Sequence, residues 1–566
     1  MKYCFSTITV SAIALLQLLS SCSHPPSAAY AGLDDHLIHA VRDSITGERL
    51  YLTRDSSLSY HNVRIDQDGG ILPWYAADPG ASYDTVIRLV WHFWDRMETD
   101  SNGEKYYMNH QVWRPQHDKR GLGGDQLMMA LSSWDLLYNY TGNAAIVDNM
   151  KYMADYYLSH GFTAPGDAWP DIPYPYNTVL HSGKYDGDMI LGKGYAQPDK
   201  AGSFGYELVH LYKKTGDSKY LDAAVKIANT LAAKVQPGDA FHSPWPFKVN
   251  ATTGEVGKLI NHPKINKPEP GTSFTTEQPS VYTTNWTPTL RLFTELTALK
   301  KGDSAAYHKA YDIALNWMKT LPAKNNKWGP FFEDILGWSD CQINAITYAM
   351  YLMDNEQADP GWRQTVKNIF NWVHTALDDT EFQKFGVITT DEQTIYRTPG
   401  NSHSSRQASM ELHYWEKTGD TTRLQNAIRE LNWATYMVNT DGKNYYLRDD
   451  IWLTDGYGDY VRHYIRAMAA APELAPSGTD HLLRTSSIVS HIDYRDNEIS
   501  YTTFDDTSKE KLRLKHKPAG ITVDGNILKE VSNPNTEGYV WQSIGSNGDG
   551  VLIVHKTAGK QVRIQL

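Results

Sequence analysis

A tight turn that keeps returning constrains this chain more than any other feature. It reads Leu137-Tyr138-Asn139-Tyr140-Thr141-Gly142-Asn143, then Leu211-Tyr212-Lys213-Lys214-Thr215-Gly216-Asp217. It returns as Leu299-Lys300-Lys301-Gly302-Asp303 and as Tyr414-Trp415-Glu416-Lys417-Thr418-Gly419-Asp420, with a less regular copy at Met353-Asp354-Asn355. Glycine takes the left-handed conformation that ends a helix, and the adjoining Asp or Asn caps the next one. The flanks carry helical periodicity. Before the second turn Phe204, Leu208, Leu211 and Tyr212 share one face; after it Tyr220, Ala224, Ile227, Ala228 and Leu231 do. Such self-similarity marks a repeat architecture of helical hairpins. Five hairpins are predicted, beginning near Asp125, Ser203, Trp286, Asp340 and His403. Two helices remain, at 83–97 and 459–471, and pairing them adds a sixth hairpin and closes a ring from the two ends of the repeat.

The turn repeat and helix count resemble those of the six-hairpin glycosidase superfamily, the α/α toroids, which include glycoside hydrolases, polysaccharide lyases and sugar epimerases. The resemblance covers roughly residues 77–475 and rests on no catalytic signature. It implies a mainly α, (α/α)6 toroid acting on carbohydrate, with a glucuronidase-like family among the members considered. Beyond Pro476 the period changes to two: 499–504, 511–514, 539–542 and 551–554 read as strands, and Asp524-Gly525 as a hairpin turn. A small antiparallel β domain bracing the toroid is expected over 476–566. It looks too small for the β-sandwich that accompanies lyase toroids.

Residues 1–21 read as an export signal: Lys2, an apolar run over 8–19, then Leu19-Ser20-Ser21-Cys22. That tetrad resembles the lipobox of bacterial lipoproteins, which implies lipidation of Cys22 and an exported protein held at a bacterial membrane by its lipid alone. Residues 22–76 are expected to pack on the toroid as an extension. Cys341 is then the one remaining cysteine of three, so no disulfide framework exists and a buried filler is its expected role. The formal net charge of −11 disfavours a nucleic-acid partner. The expected partner of this chain, read as a monomer, is an oligosaccharide or polysaccharide.

Hairpin topology puts every tight turn on one face of the ring and every long connection on the other. The long connections are 160–201, 236–285, 323–339, 378–402 and 440–458. Long structured loops are usually functional, so the substrate face is expected there, at the N-termini of the inner helices. The chain has 17 Trp and 36 Tyr against 14 Phe. Rings with a polar handle suit either sugar stacking or a bulky helical core. Trp169, Tyr176, Trp286 and Trp338, which lie in or beside these loops, are the expected sugar platforms.

Glycoside cleavage needs two carboxyl groups, one kept protonated by an apolar setting. Glu333 and Asp334, between Phe331-Phe332 and Ile335-Leu336, are the first choice for the acid. Asp125, Asp340 and Asp459 stand at predicted starts of inner helices, where capping competes with catalysis as an explanation. His403 and Arg406, with Arg397 upstream and Arg462 on the last helix, fit recognition of a carboxylate or sulfate, pointing to a uronic-acid-containing glycan; bracing of loops explains them equally. Hydrolysis of a glycosidic bond by a carboxyl pair, with no cofactor, ranks first. A lyase using His403 with Tyr457 or Tyr460 ranks second, and a glycan-binding lipoprotein without activity third. No zinc or phosphate-loop motif appears, and a structural calcium held by Asp186 and Asp188 is a bare alternative.

Overall fold

The computed structural model describes residues 38–42, 49–53, 61–105, 124–179, 181–188, 190–260, 277–332, 338–395, 397–442, 444, 457–545 and 547–566. Twelve long helices run through them: α1 (Pro79–Arg96), α2 (Gly124–Thr141), α3 (Ala144–His160), α4 (Pro198–Thr215), α5 (Ser218–Lys234), α6 (Thr287–Ala298), α7 (Ser304–Thr320), α8 (Gln342–Asp354), α9 (Trp362–Leu377), α10 (Asn401–Thr418), α11 (Leu424–Ala434) and α12 (Tyr457–Ala470). Each of α2, α4, α6, α8, α10 and α12 touches the next, and α12 returns to α2, which closes an inner ring of six. The other six form the outer ring. Five follow their inner partners across the tight turns, while α1 packs on α12 and joins the two ends of the repeat. This is the (α/α)6 toroid.

The turn chemistry is as the sequence requires. Gly216 ends α4 at φ 77°, and the Asp217 side chain accepts the Lys219 N–H to start α5. Asn143 and Asp303 cap α3 and α7 in the same way. A Gly216→Ala change forces a Cβ into the left-handed region and should cost about 1 kcal/mol; a thermal melt of the variant checks it.

Outer and inner helices differ in how much they hide. On α9 the buried set is Trp362, Val366, Ile369, Phe370, Val373 and Leu377, a single apolar stripe. On α10 all fourteen residues from Asn401 to Tyr414 are buried, although most are polar. An inner helix has one face on the outer ring and the other on the axis, so its polar face lines an interior. Gly202 and Gly205 bring α4 close to α6: a Cβ on either would run into Thr289 or Leu292.

The C-terminal region folds into nine strands: β1 (His481–Thr485), β2 (Val489–Arg495), β3 (Glu498–Thr503), β4 (Ser508–Leu514), β5 (Gly520–Val523), β6 (Asn526–Leu528), β7 (Gly538–Ser543), β8 (Gly550–Lys556) and β9 (Gln561–Gln565). They make two antiparallel sheets, ordered β1-β4-β8-β7 and β2-β3-β9-β5-β6. Asp524 and Gly525 both take positive φ in the β5–β6 turn, the backbone that Asp-Gly favours. So this stretch does build two full sheets, more than its predicted strands indicated.

These sheets sit on the tight-turn face of the toroid. The Tyr494 hydroxyl donates to Asn139 O (2.6 Å), the His481 ring stacks on Tyr140 at 3.8 Å, and Lys214 Nζ donates to Val489 O (2.6 Å). Arg484 and Lys511 of β1 and β4 converge on Glu416 near the end of α10. At the opposite edge, residues 61–76 pack on the end of α11: Tyr436 Oη donates to Leu72 O (2.7 Å), and His61 stacks on Trp74 at 3.8 Å.

Candidate active site

The β domain covers one end of the ring, and the long connections gather at the other. Between them a cavity of about 230 Å3 runs along the axis, lined from every inner helix by residues such as Met128, Glu207, Arg291, Met350, Met410 and Arg466. That is roughly seven or eight waters at ~30 Å3 each, the scale of one sugar ring.

A charged knot guards the long-loop end. Asp459, in the first turn of α12, is 1% exposed. It is held by Arg406 from α10, by Arg462 one turn along its own helix, and by His463 Nε2 at 3.1 Å. Burial alone would raise its pKa, but Arg406, Arg462 and His463 hold the carboxyl well below the usual range. Asp459 is therefore a fixed anion rather than a proton donor. Arg406 also donates to Gln342 Oε1 (2.8 Å), so α8, α10 and α12 are tied together. Burial first, then the Arg406 charge, pushes His403 well below 6.5; burial takes His463 to about 3. Both imidazoles are neutral at physiological pH.

Across the axis, Lys200 in the first turn of α4 is buried against Asp199 (3.2 Å) and the Phe331 carbonyl (2.9 Å), with Nζ 3.2 Å from the centre of the Phe331 ring. Asn285 Nδ2 donates to Asp199 Oδ2 (3.0 Å). Phe332 meets the His403 ring edge-on at 6.2 Å, so the segment ahead of residues 333 and 334 is part of the same wall.

Deeper along the axis stand two carboxyl groups on neighbouring helices. Glu207 on α4 is 9% exposed. Burial and the adjacent Asp135 charge lift its pKa from 4.5 to about 8, against the pull of Arg462, Arg466 and Arg291. Asp135 on α2 is an ion-paired carboxylate, with Lys214 Nζ at 2.9 Å. A carboxyl kept protonated by burial, as Glu207 is, suits the part of an acid.

The structure sorts the residues predicted from sequence. His403, Arg406 and Asp459 come together. Glu333 and Asp334, and the side chains of Asp125 and Tyr457, lie outside the described residues. Asp340 is neither a helix cap nor a free acid: it accepts the backbone N–H groups of Trp328 (2.6 Å) and Gly329 (2.8 Å) and Trp338 Nε1 (2.8 Å), which fastens the loop. Trp338 is the one expected platform with a free face, at 36% exposure, over Lys327. Trp169, Tyr176 and Trp286 are core instead, at 5%, 0% and 0%. Trp286 packs on Trp245 at 4.7 Å and donates to Thr283 O (2.8 Å), because the long loops fold back and bury their own rings.

Arg397 braces a loop rather than waiting for a ligand: Nε meets Asp391 at 2.9 Å and Nη1 donates to Ala376 O (2.8 Å). An Arg397→Ala change should lower the melting temperature slightly while leaving oligosaccharide affinity, measured by titration calorimetry, unchanged. The calcium ligands considered are engaged by protein donors. Asp188 pairs with Lys248 at 3.0 Å and accepts from Gln197, and Asp186 accepts from Thr178 and pairs with Lys193. Cys341 is the buried filler expected, its thiol pushed up by burial.

Sequence reasoning missed Glu207, Asp135, Lys200, His463 and Arg466. A signal was present. Ser203, Tyr206, Glu207 and His210 line one face of α4 at helical spacing, opposite the apolar stripe. In a two-layer protein such a face meets solvent; on an inner helix of a ring it meets the axis.

No protein-family model matches the chain, and no curated protein matches its sequence. Among solved structures it is similar to a sugar epimerase from a ruminal bacterium: 15% identity, TM-score 0.50, covering 69% of this chain and 98% of that one. The cellobiose 2-epimerase of Spirochaeta thermophila gives 12% identity and TM-score 0.50 over 69% and 96%. A D-mannose isomerase gives 12% and 0.50 over 71% and 99%. At these identities the likeness is one of fold alone, the (α/α)6 toroid.

Proposed function

We propose that the protein is an exo-acting glycoside hydrolase whose reaction takes place in the axial cavity. The observation that carries this reading is the pair Glu207 and Asp135 on one cavity wall, the first kept protonated by burial and the second ion-paired to Lys214. The Glu207 O–H gives its proton to the glycosidic oxygen as the bond to the anomeric carbon breaks. A water oxygen attacks that carbon, and its proton passes to Asp135. The β domain over one end of the axis and the small volume favour a single terminal sugar over a threaded chain. The lipoprotein reading of residues 1–22 fits an enzyme that meets glycan outside the cytoplasm.

Neutral His403 and His463 beside Arg406 favour a second reading, proton transfer at a sugar carbon, as in a lyase or an epimerase. Proton NMR of oligosaccharide digests in D2O separates the two. Hydrolysis gives new anomeric signals with no vinyl proton and no deuterium on carbon. A vinyl signal, or deuterium at a ring carbon, would reject the hydrolase reading.

A further inference from the structure

The axial cavity holds more positive charge than the protein balances. Arg291 pairs with Asp354 at 2.8 Å, Lys200 with Asp199, and Arg406 and Arg462 both with Asp459. Arg466, on α12 one turn below Arg462, also lines the cavity. Among the described residues it makes no hydrogen bond and no ion pair. The acids around it are committed elsewhere: Asp354 to Arg291 and to His413 at 3.4 Å, Asp459 to Arg406 and Arg462, and Asp135 to Lys214. The protonated Glu207 carries no charge to offer it. The Arg462 Nε is likewise buried without a partner. Arg466 is half-buried, and Asp354 and Asp459 act on it only at a distance, against the like charges of Arg462 and Arg291; an anion bound beside it would supply the direct partner it lacks.

We propose that Arg466 is the specificity determinant of the cavity and binds the carboxylate of a uronic acid at the end of the glycan. This rests on the axial cavity being the reaction site. Guanidinium and carboxylate match in a planar, two-bond geometry, and Arg466 keeps all its donors for that purpose. The Arg462 Nε lies in the same wall as a further donor.

The test is titration calorimetry of the full soluble chain with D-glucuronate, D-glucose and D-glucose 6-sulfate, on the native protein and on Arg466→Met. Glucuronate should bind native protein about ten- to a hundred-fold more tightly than glucose, and Arg466→Met should abolish that preference. The ligand-free variant should melt higher than native protein, because it loses a half-buried charge that has no direct partner and stands near Arg462 and Arg291. Equal affinity for glucose and glucuronate, a preference that survives in Arg466→Met, or a lower melting point for that variant would overturn the assignment. Tighter binding of the 6-sulfate would overturn the carboxylate and make the ligand a sulfate ester. Glucuronate preference in a protein that hydrolyses nothing would sink the hydrolase reading and leave the subsite standing.

Discussion

A Glu207→Gln enzyme should lose about 10²- to 10⁴-fold in kcat on glycosides with poor leaving groups, since it removes the proton donor and little else. Substrates whose aglycone departs without protonation, such as dinitrophenyl glycosides, should be affected far less. The pH dependence follows from the same burial. Glu207 keeps its proton until about pH 8, so the native rate should fall as pH rises through 8, and the variant should lack that limb. The linkage to stability has the same sign. A carboxyl whose pKa is raised on folding adds stability that is fully present below the unfolded value near 4.5 and is lost as pH climbs through the folded one. Above pH 8 the glutamine variant should therefore be the more stable protein. Equal loss on good and poor leaving groups would remove Glu207 from the role of acid.

Replacing Asp459 should act on the fold before it acts on chemistry. Asp459→Asn leaves Arg406 and Arg462 without their shared counter-charge in a nearly dry site. Breaking a buried pair in this way costs about 3–5 kcal/mol. The stability of the toroid in urea, followed by tryptophan fluorescence, should fall by that amount with an unchanged slope. Because the folded pKa of Asp459 is depressed, its contribution is complete above the ordinary carboxylate range and fades only as pH falls well below it. A variant as stable as the native protein but inactive would instead make Asp459 a reacting group.

The fold was legible because its punctuation is local. Gly216-Asp217 and its relatives must end one helix and start another whatever surrounds them, and the unpaired helices at the two ends of the repeat had one way to hide their apolar faces. The sequence predicts a start near Ser203 for the helix that begins at Pro198, because its first turn, Pro198-Asp199-Lys200, is polar yet buried. His403, Arg406 and Asp459 were legible as charged residues at starts of inner helices. Trp169, Tyr176 and Trp286, expected as platforms, are core. A ring facing a sugar and a ring facing a neighbouring loop both need an apolar face with a polar handle, and only the folded-back loops decide between them. Glu207 and Arg466 escaped notice for the opposite reason. Their helices show an apolar stripe in the sequence, while the side chains that line the cavity lie on the other face.

The central claim, that a terminal sugar reacts inside the ring, is tested most directly by a crystal structure of the Glu207→Gln variant with an uncleaved oligosaccharide. One sugar ring is expected in the axial cavity, its glycosidic oxygen within hydrogen-bond reach of the substituted side chain. The remaining sugars should leave through the long-loop face past Trp338. Sugar bound across the mouth at His403 with the axis left to water, or on the β domain alone, would contradict it.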